Sequence, residues 1–269
     1  MSMKLTNKLT LVLVFTTTTM ILAQEESNSL GTLVTDRPDA TESPNLIPKG
    51  FLQIETGAFY ESFDANAIKT ENYTLNTTLV RLGLLDNLEL RIGWDFVEGR
   101  TAINGIKQDN ITSGFNPLLF GAKVGIAKEA NGFPEIGLLG HLYLPFTAGN
   151  DYKPASTGVD FRFVFAHTLS ETSSLSYNLG AQWHDDATQA AYVYTIVYGQ
   201  SITSHLGFYA ELYGDLPEDD SANHLWDAGL TYLLSESVQL DATVGSSITE
   251  GQDILISAGI SFRLPLNKN

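Results

Sequence analysis

From Phe51 almost to the C-terminus, apolar and polar residues alternate with a period of two. Leu88, Leu90, Ile92 and Trp94 interleave with Glu89, Arg91, Gly93 and Asp95. Val238, Leu240, Ala242 and Val244 interleave with Gln239, Asp241, Thr243 and Gly245, and the same rhythm runs from Ile254 to Arg263. A strand sends successive side chains to opposite faces, so each run has one greasy and one polar face. The pattern predicts twelve strands, at 51–61, 72–83, 88–97, 115–127, 134–144, 158–168, 174–183, 190–200, 206–214, 225–233, 238–247 and 254–263. In the eighth, Tyr192, Tyr194, Ile196 and Tyr198 compete with Val193, Thr195 and Val197 for the greasy face, so its orientation stays open. Before the first strand, residues 24–50 are polar and broken by Pro38, Pro44 and Pro48, with room for a short strand over 32–35.

A soluble sandwich turns its greasy faces inward, whereas a membrane barrel turns them to lipid and lines its lumen with the polar ones. Loop lengths favour the barrel. Short links at 84–87, 128–133, 169–173, 201–205 and 234–237 alternate with links at 62–71, 98–114, 145–157, 184–189, 215–224 and 248–253 that are mostly longer. Outer-membrane barrels have short periplasmic turns and longer external loops, and an even strand count puts both termini on the short-turn side. Aromatics near strand ends (Tyr60, Trp94, Trp183, Tyr213, Trp226 and Phe262) match the girdles at the two membrane interfaces. The expected fold is therefore all-β: a closed antiparallel up-and-down transmembrane β-barrel of about twelve strands, preceded by a periplasmic or plug segment.

The N-terminus adds a compartment. Lys4 and Lys8, an apolar run over 9–22 and the small Ala23 form the pattern of a cleaved secretory signal. The run is shorter than the roughly 20 residues that a spanning helix needs. Three segments follow: a signal peptide over 1–23, the N-terminal segment over 24–50 and the barrel over 51–269. A cleaved signal and a barrel together point to the outer membrane of a Gram-negative bacterium. The mean hydropathy of −0.01 suits a barrel whose two faces cancel. With 15 basic and 31 acidic residues the chain carries a formal charge of −16, and loss of Lys4 and Lys8 makes it more negative still. Nucleic acid needs a basic surface, so it is not an expected partner.

At Thr35-Asp36-Arg37-Pro38-Asp39-Ala40-Thr41-Glu42-Ser43-Pro44, then Pro48-Lys49-Gly50 and Gln53-Ile54-Glu55-Thr56-Gly57, the chain resembles a known family. These are the outer-membrane barrel proteins named for the meta-pathway of phenol degradation, often labelled simply transporter. The hairpin from Arg81 to Arg91, Leu144-Pro145, Glu211 and Gln239-Leu240-Asp241 fit the same family, although Phe146 replaces the usual glycine after Pro145. The resemblance implies a β-barrel that takes up or exports a poorly defined solute.

With lipid outside, Gln53, Glu55, Arg81, Glu89, Arg91, Asp95, Lys123, Glu135, His141, Asp160, Arg162, Glu211, Asp227, Asp241 and Arg263 point into the lumen. Arg81, Glu89 and Arg91 flank one tight turn and meet near the periplasmic rim. Asp36, Arg37, Asp39 and Glu42 enter from that side and have opposite charges to pair with, Arg37 with Glu89 or another lumen acid. The lumen and constriction candidates are thus Asp36, Arg37, Asp39, Glu42, Glu55, Arg81, Glu89, Arg91, Asp95, Lys123, Glu211 and Asp241. The plainer reading is an ion-pair network that merely fills a narrow barrel. His141 and His167 lie in strands with no serine in a nucleophile setting beside them, so no catalytic residue is assigned. The acidic loop groups His184-Asp185-Asp186 and Glu218-Asp219-Asp220 read as solvated, and no metal or cofactor is assigned. The expected function is an outer-membrane channel for small solutes, including hydrophobic or aromatic ones. The alternatives are a surface barrel with a structural, adhesive or ligand-binding role and, less favoured, an outer-membrane enzyme. Expected partners are outer-membrane lipid, the barrel-assembly machinery and an unknown small-molecule solute.

Overall fold

The structure is a computed structural model and describes residues 31–184, 186–249 and 251–266. The expected signal peptide with its cleavage beside Ala23, residues 24–30 and Asp185 lie outside the described residues. The strands are β1 (Phe51–Ala65), β2 (Ile68–Leu85), β3 (Leu88–Ile103), β4 (Ile106–Lys107), β5 (Thr112–Phe115), β6 (Leu118–Ala127), β7 (Glu135–Leu144), β8 (Gly158–Thr168), β9 (Ser173–Trp183), β10 (Ala191–Ser201), β11 (Leu206–Pro217), β12 (Asn223–Ser235), β13 (Val238–Ser247) and β14 (Gln252–Pro265). Long strands adjacent in the chain pair antiparallel, β3 pairs β6, and β14 returns to β1 with Gly57 opposite Gly259. The short β4 and β5 only extend the pairing of β3, so twelve strands form one closed barrel. Closure leaves no open edge, which a lipid environment could not satisfy.

Burial is inverted relative to a soluble protein. Ile92, Leu212 and Ile256 on the outer face are 40%, 48% and 48% exposed, whereas Arg81, Arg91 and Lys123 are the largest fully buried side chains. Buried cations and exposed aliphatics along the same strands make physical sense only when the solvent around the barrel is hydrocarbon. Leu88, Leu90 and Ile92 face outward, as expected. In β10 the competition is resolved: Val193, Thr195 and Val197 are buried in the interior, and Tyr192, Ile196 and Tyr198 are exposed.

The structure departs from the sequence expectation in several places. Tyr213 does not join an interfacial girdle. It shares the inner face of β11 with Tyr209 and Glu211 and stands opposite Thr195 and Leu225, both buried. Trp226, by contrast, is 39% exposed outside, and Trp183 stacks on the exposed Phe161 at 6.2 Å. Residues 62–71 are not a loop: β1 and β2 continue to Ala65 and Ile68, and Asn66 and Ala67 turn the hairpin with φ of 54° and 63°. Such left-handed pairs match the twist of the flanking strands. Beyond the bilayer both strand faces meet water, so the alternation that marked the strand fades there although its backbone pairing continues. The predicted strand 115–127 is interrupted at Asn116-Pro117, because proline has no N–H to give to a ladder. No strand forms over 32–35; there the Leu33 N–H donates to the Glu236 carbonyl at 2.8 Å.

Candidate functional site

The period-two rhythm places a charged cluster on the inner faces of β1, β2, β3 and β6. Glu55, Arg81, Glu89, Arg91 and Lys123 are each no more than 1% exposed. Arg81 stands opposite Arg91, and Lys123 opposite Glu89, through strand pairing alone. Three cations this close require acids, and the wall supplies only Glu55 and Glu89. Residues 36–42 supply the rest. One oxygen of Asp36, Oδ2, accepts from Arg91 Nη2 at 3.0 Å and Lys123 Nζ at 2.8 Å and forms an ion pair with Arg81 Nη1 at 3.0 Å. Glu42 receives Arg91 Nη1 at 2.8 Å and lies 3.3 Å from Lys123 Nζ. Arg81 also holds Glu55 at 2.9 Å and Glu89 at 2.7 Å. Glu55 in turn accepts the backbone N–H groups of Asp36 and Arg37, each at 3.0 Å, and Glu89 accepts that of Ile47 at 3.0 Å. A buried charge is tolerated only with such full pairing.

Arg37 does not reach Glu89. Its Nη2 donates to Asp241 on β13 at 2.9 Å and to Ser257 on β14 at 3.0 Å, and its guanidinium lies over the Phe59 ring at 5.1 Å. The paired Gly57 and Gly259 make this possible. A Cβ on either would fall 2.5–2.7 Å from guanidinium nitrogens, so the cation occupies the gap that the missing side chains leave. The peptide bond to Pro38 is cis.

The next residues cross to the opposite wall. The Ala40 N–H donates to Glu211 at 2.7 Å, and the Thr41 hydroxyl bonds both Glu211 and Thr195, the latter at 2.7 Å. Asn178 accepts the Glu42 N–H at 2.7 Å and donates to its carbonyl at 2.8 Å. Asp36 Oδ1 accepts the Ser43 N–H at 3.2 Å, which closes the bend. Asp39 makes no ion pair among the described residues and lies beside Glu211 and Asp227. Asp95 faces inward on β3 opposite Thr77, farther towards the long-loop end. Of the twelve candidates, Asp36, Glu42, Glu55, Arg81, Glu89, Arg91 and Lys123 come together in one network. Arg37 with Asp241, Asp39 with Glu211, and Asp95 alone occupy three other places. Thr41 in the segment and Thr195, Asn178 and Ser257 on the wall were missed, since neutral polar residues carry no sign to mark them.

Two cavities flank the segment. One, of about 710 Å³, opens among the long loops and reaches down to Glu42, Arg91 and His141. The other, of about 450 Å³, opens at the short-turn end and reaches up to Arg37, Asp39, Thr41 and Ser43. His141 Nδ1 is 3.6 Å from Asp160, which is bonded twice to Arg162 at 3.1 Å. At the outer mouth Asp186 is a structural staple. The Ala155 N–H and the Ser156 hydroxyl and N–H bind its carboxylate and hold it below the usual carboxylate range.

A family model described as "Putative MetA-pathway of phenol degradation" matches residues 35–264. No curated protein matches the chain in sequence. Among solved structures, the COG4313 outer membrane channel from Pseudomonas putida F1 is similar with a TM-score of 0.62 at 15% identity, over 86% of this chain and 100% of that one. The KdgM porin is similar with a TM-score of 0.51 at 10% identity, over 78% of this chain and 98% of that one. Both likenesses are of fold: a closed outer-membrane barrel.

Proposed function

The chain belongs to the family that this model describes, and from that premise we propose that it is an outer-membrane channel for small solutes whose lumen is narrowed by residues 36–43. The observation that carries this reading is the pair of cavities, one at each mouth, that reach the two sides of the same short segment. A barrel that only needed filling would have no use for an open vestibule at both ends. The constriction is formed by Asp36, Arg37, Asp39 and Glu42 against Glu55, Arg81, Glu89, Arg91, Lys123, Glu211 and Asp241, with Asp95 above it. Hydrophobic or aromatic solutes fall within the proposed range, since the family name associates the barrel with phenol degradation. The secretory signal and the apolar outer face support insertion from the periplasm into a Gram-negative outer membrane, which makes lipid and the barrel-assembly machinery its partners. The reading is of a channel and not an enzyme, because the carboxylate nearest His141 is already engaged by Arg162.

A second reading is supported by the ion pairs themselves. A segment held this firmly suits a surface barrel that transports nothing. Liposome swelling separates the two. Vesicles carrying the intact protein are expected to swell slowly in small neutral solutes, and those carrying a chain without residues 36–43 clearly faster. Equal swelling at the level of empty vesicles would reject the channel.

A further inference from the structure

Resting on the channel reading, we propose that the outer cavity holds a binding site on the inward row Leu79, Gly93, Leu119 and Tyr143. It takes compact neutral molecules, an apolar ring or short chain that carries a hydroxyl, and it turns away carboxylate anions. The row is continuous across four strands. Leu79 on β2 pairs Gly93 on β3, Gly93 pairs Leu119 on β6, and Leu119 pairs Tyr143 on β7. All four line the cavity that opens among the long loops. The inward row directly below, towards the short turns, is Arg81, Arg91, Gly121 and His141, and the row above carries Thr77 and Asp95.

The lumen of such a barrel is polar, so two inward leucines side by side are out of keeping with it. Leu79 and Leu119 are half-buried and flank a glycine. A Cβ on Gly93 would meet Leu79 Cδ1 at 3.4 Å and Leu119 Cβ at 3.5 Å, so the missing side chain leaves a notch between the two leucines. Tyr143 bounds the strip. Its ring meets His184 edge-on with centroids 4.5 Å apart, and Gly158, its partner on β8, leaves the room for that contact. An apolar strip with a few polar groups at its edges is the usual build of a small-molecule site.

The polar edges choose the ligand. Below the strip, the Glu42 side chain stays 17% exposed although Arg91 and Lys123 hold it. Above it, Asp95 accepts from Thr77 and Asn116 and makes no ion pair among the described residues. A carboxylate has about four lone-pair sites, so each of these acids can accept another hydrogen bond. Arg91 is already engaged by Asp36 and Glu42. On the floor His141 is 6% exposed, and neither of its ring nitrogens has a hydrogen-bond partner. A hydroxyl both donates and accepts, so it can serve a carboxylate oxygen or an imidazole nitrogen, whereas a carboxylate anion brings no donor. The cavity as a whole is lined by four carboxylates, Glu42, Asp95, Asp151 and Asp186, against two fixed cations, Arg91 and Lys153. Lys153 is exposed at the mouth, where solvent and salt screen it. An anion therefore meets like charge at both edges of the strip. A neutral molecule seated there waits directly over the constriction.

The test is a methyl NMR titration of the full-length mature protein, labelled at leucine, with cyclohexanol and with cyclohexanecarboxylate at neutral pH, where the acid is ionised. Cyclohexanol is expected to shift the Leu79 and Leu119 methyls saturably, and the carboxylate to bind about tenfold more weakly or worse. The outward Leu212 and Leu230 report partition into the surrounding detergent and are expected to drift without saturating. Gly93→Val fills the notch and is expected to weaken cyclohexanol about fivefold or more. Gly93→Ala, whose Cβ both leucines accept at ordinary contact distance, is expected to weaken it about twofold and serves if the valine variant does not fold. Asp95→Asn puts a donor at the upper edge and is expected to cut the preference for alcohol over carboxylate to about a third or less. Shifts that are equal on inward and outward leucines, equal binding of the two probes, or binding indifferent to Gly93 overturns the inference. Should vesicles lacking residues 36–43 swell while these leucines stay silent, the site falls and the channel stands. Saturable binding in a protein whose vesicles never swell leaves the site and removes the channel.

Discussion

The two walls that grip the N-terminal segment use different physics. On the β1, β2, β3 and β6 side, Asp36 and Glu42 enter a buried ion network in which one carboxylate oxygen serves three cations. On the β9–β11 side, Asn178, Thr195 and Glu211 bind backbone groups and one hydroxyl, with no basic residue taking part. A buried ion network is all-or-none: removing any member strands its partners in a low dielectric. Hydrogen bonds outside such a network are each worth about 1–3 kcal/mol and can be exchanged for bonds to water one at a time. The ion-paired wall is therefore the stronger anchor, and the hydrogen-bonded wall is the weaker one.

The sharpest way to break this comparison is to remove the hub of the anchor. Arg81→Met leaves Asp36, Glu55 and Glu89 short of a partner and is expected to cost about 3–5 kcal/mol in equilibrium unfolding from detergent or vesicles. A cost as small as that of a surface substitution would mean that the network only fills space. Next in size is a charge on the wrong face. Ala242 is exposed at the middle of β13, and Ala242→Arg is expected to destabilise by about 2–4 kcal/mol near mid-bilayer. Arginine is thus tolerated inside only because acids meet it there, and a neutral outcome at Ala242 would place the lipid elsewhere.

A smaller effect is expected on the hydrogen-bonded wall. Thr41→Val removes the bonds to Thr195 and Glu211 and is expected to cost about 1–2 kcal/mol while raising single-channel conductance or open time. The pairing of a small stability loss with a clear conductance gain is what distinguishes a release point from an anchor. At the rim, Lys128 pairs with Glu135 at 2.5 Å but its side chain is 83% exposed. Lys128→Gln is expected to leave both stability and conductance within error, because solvent and salt screen such pairs.

Much of the architecture was legible in the chain. The alternation at 88–97 and 238–247 located strands and their outer faces, because hydrocarbon outside and charge inside act on every second residue. Where that contrast vanished, reading failed. The hairpin end over 62–71 has water on both sides, and Tyr213 is an aromatic whose type says nothing about which side it faces. The candidate site was legible in part. Charge marked Asp36, Arg81, Glu89 and Arg91, but Thr41, Asn178 and Thr195 carry no such mark.

By itself the sequence determined that this chain crosses a membrane with strands and keeps its charges within, since those properties depend on local period and composition. Only the closed barrel decided who meets whom. Arg37 pairs with Asp241, 204 residues away, and not with Glu89, because closure of β14 onto β1 brings the Gly57–Gly259 gap and the β13 carboxylate to the place where the segment enters. Partner choice over such separations is a property of ring geometry, in which position around the barrel and height along it replace distance along the chain.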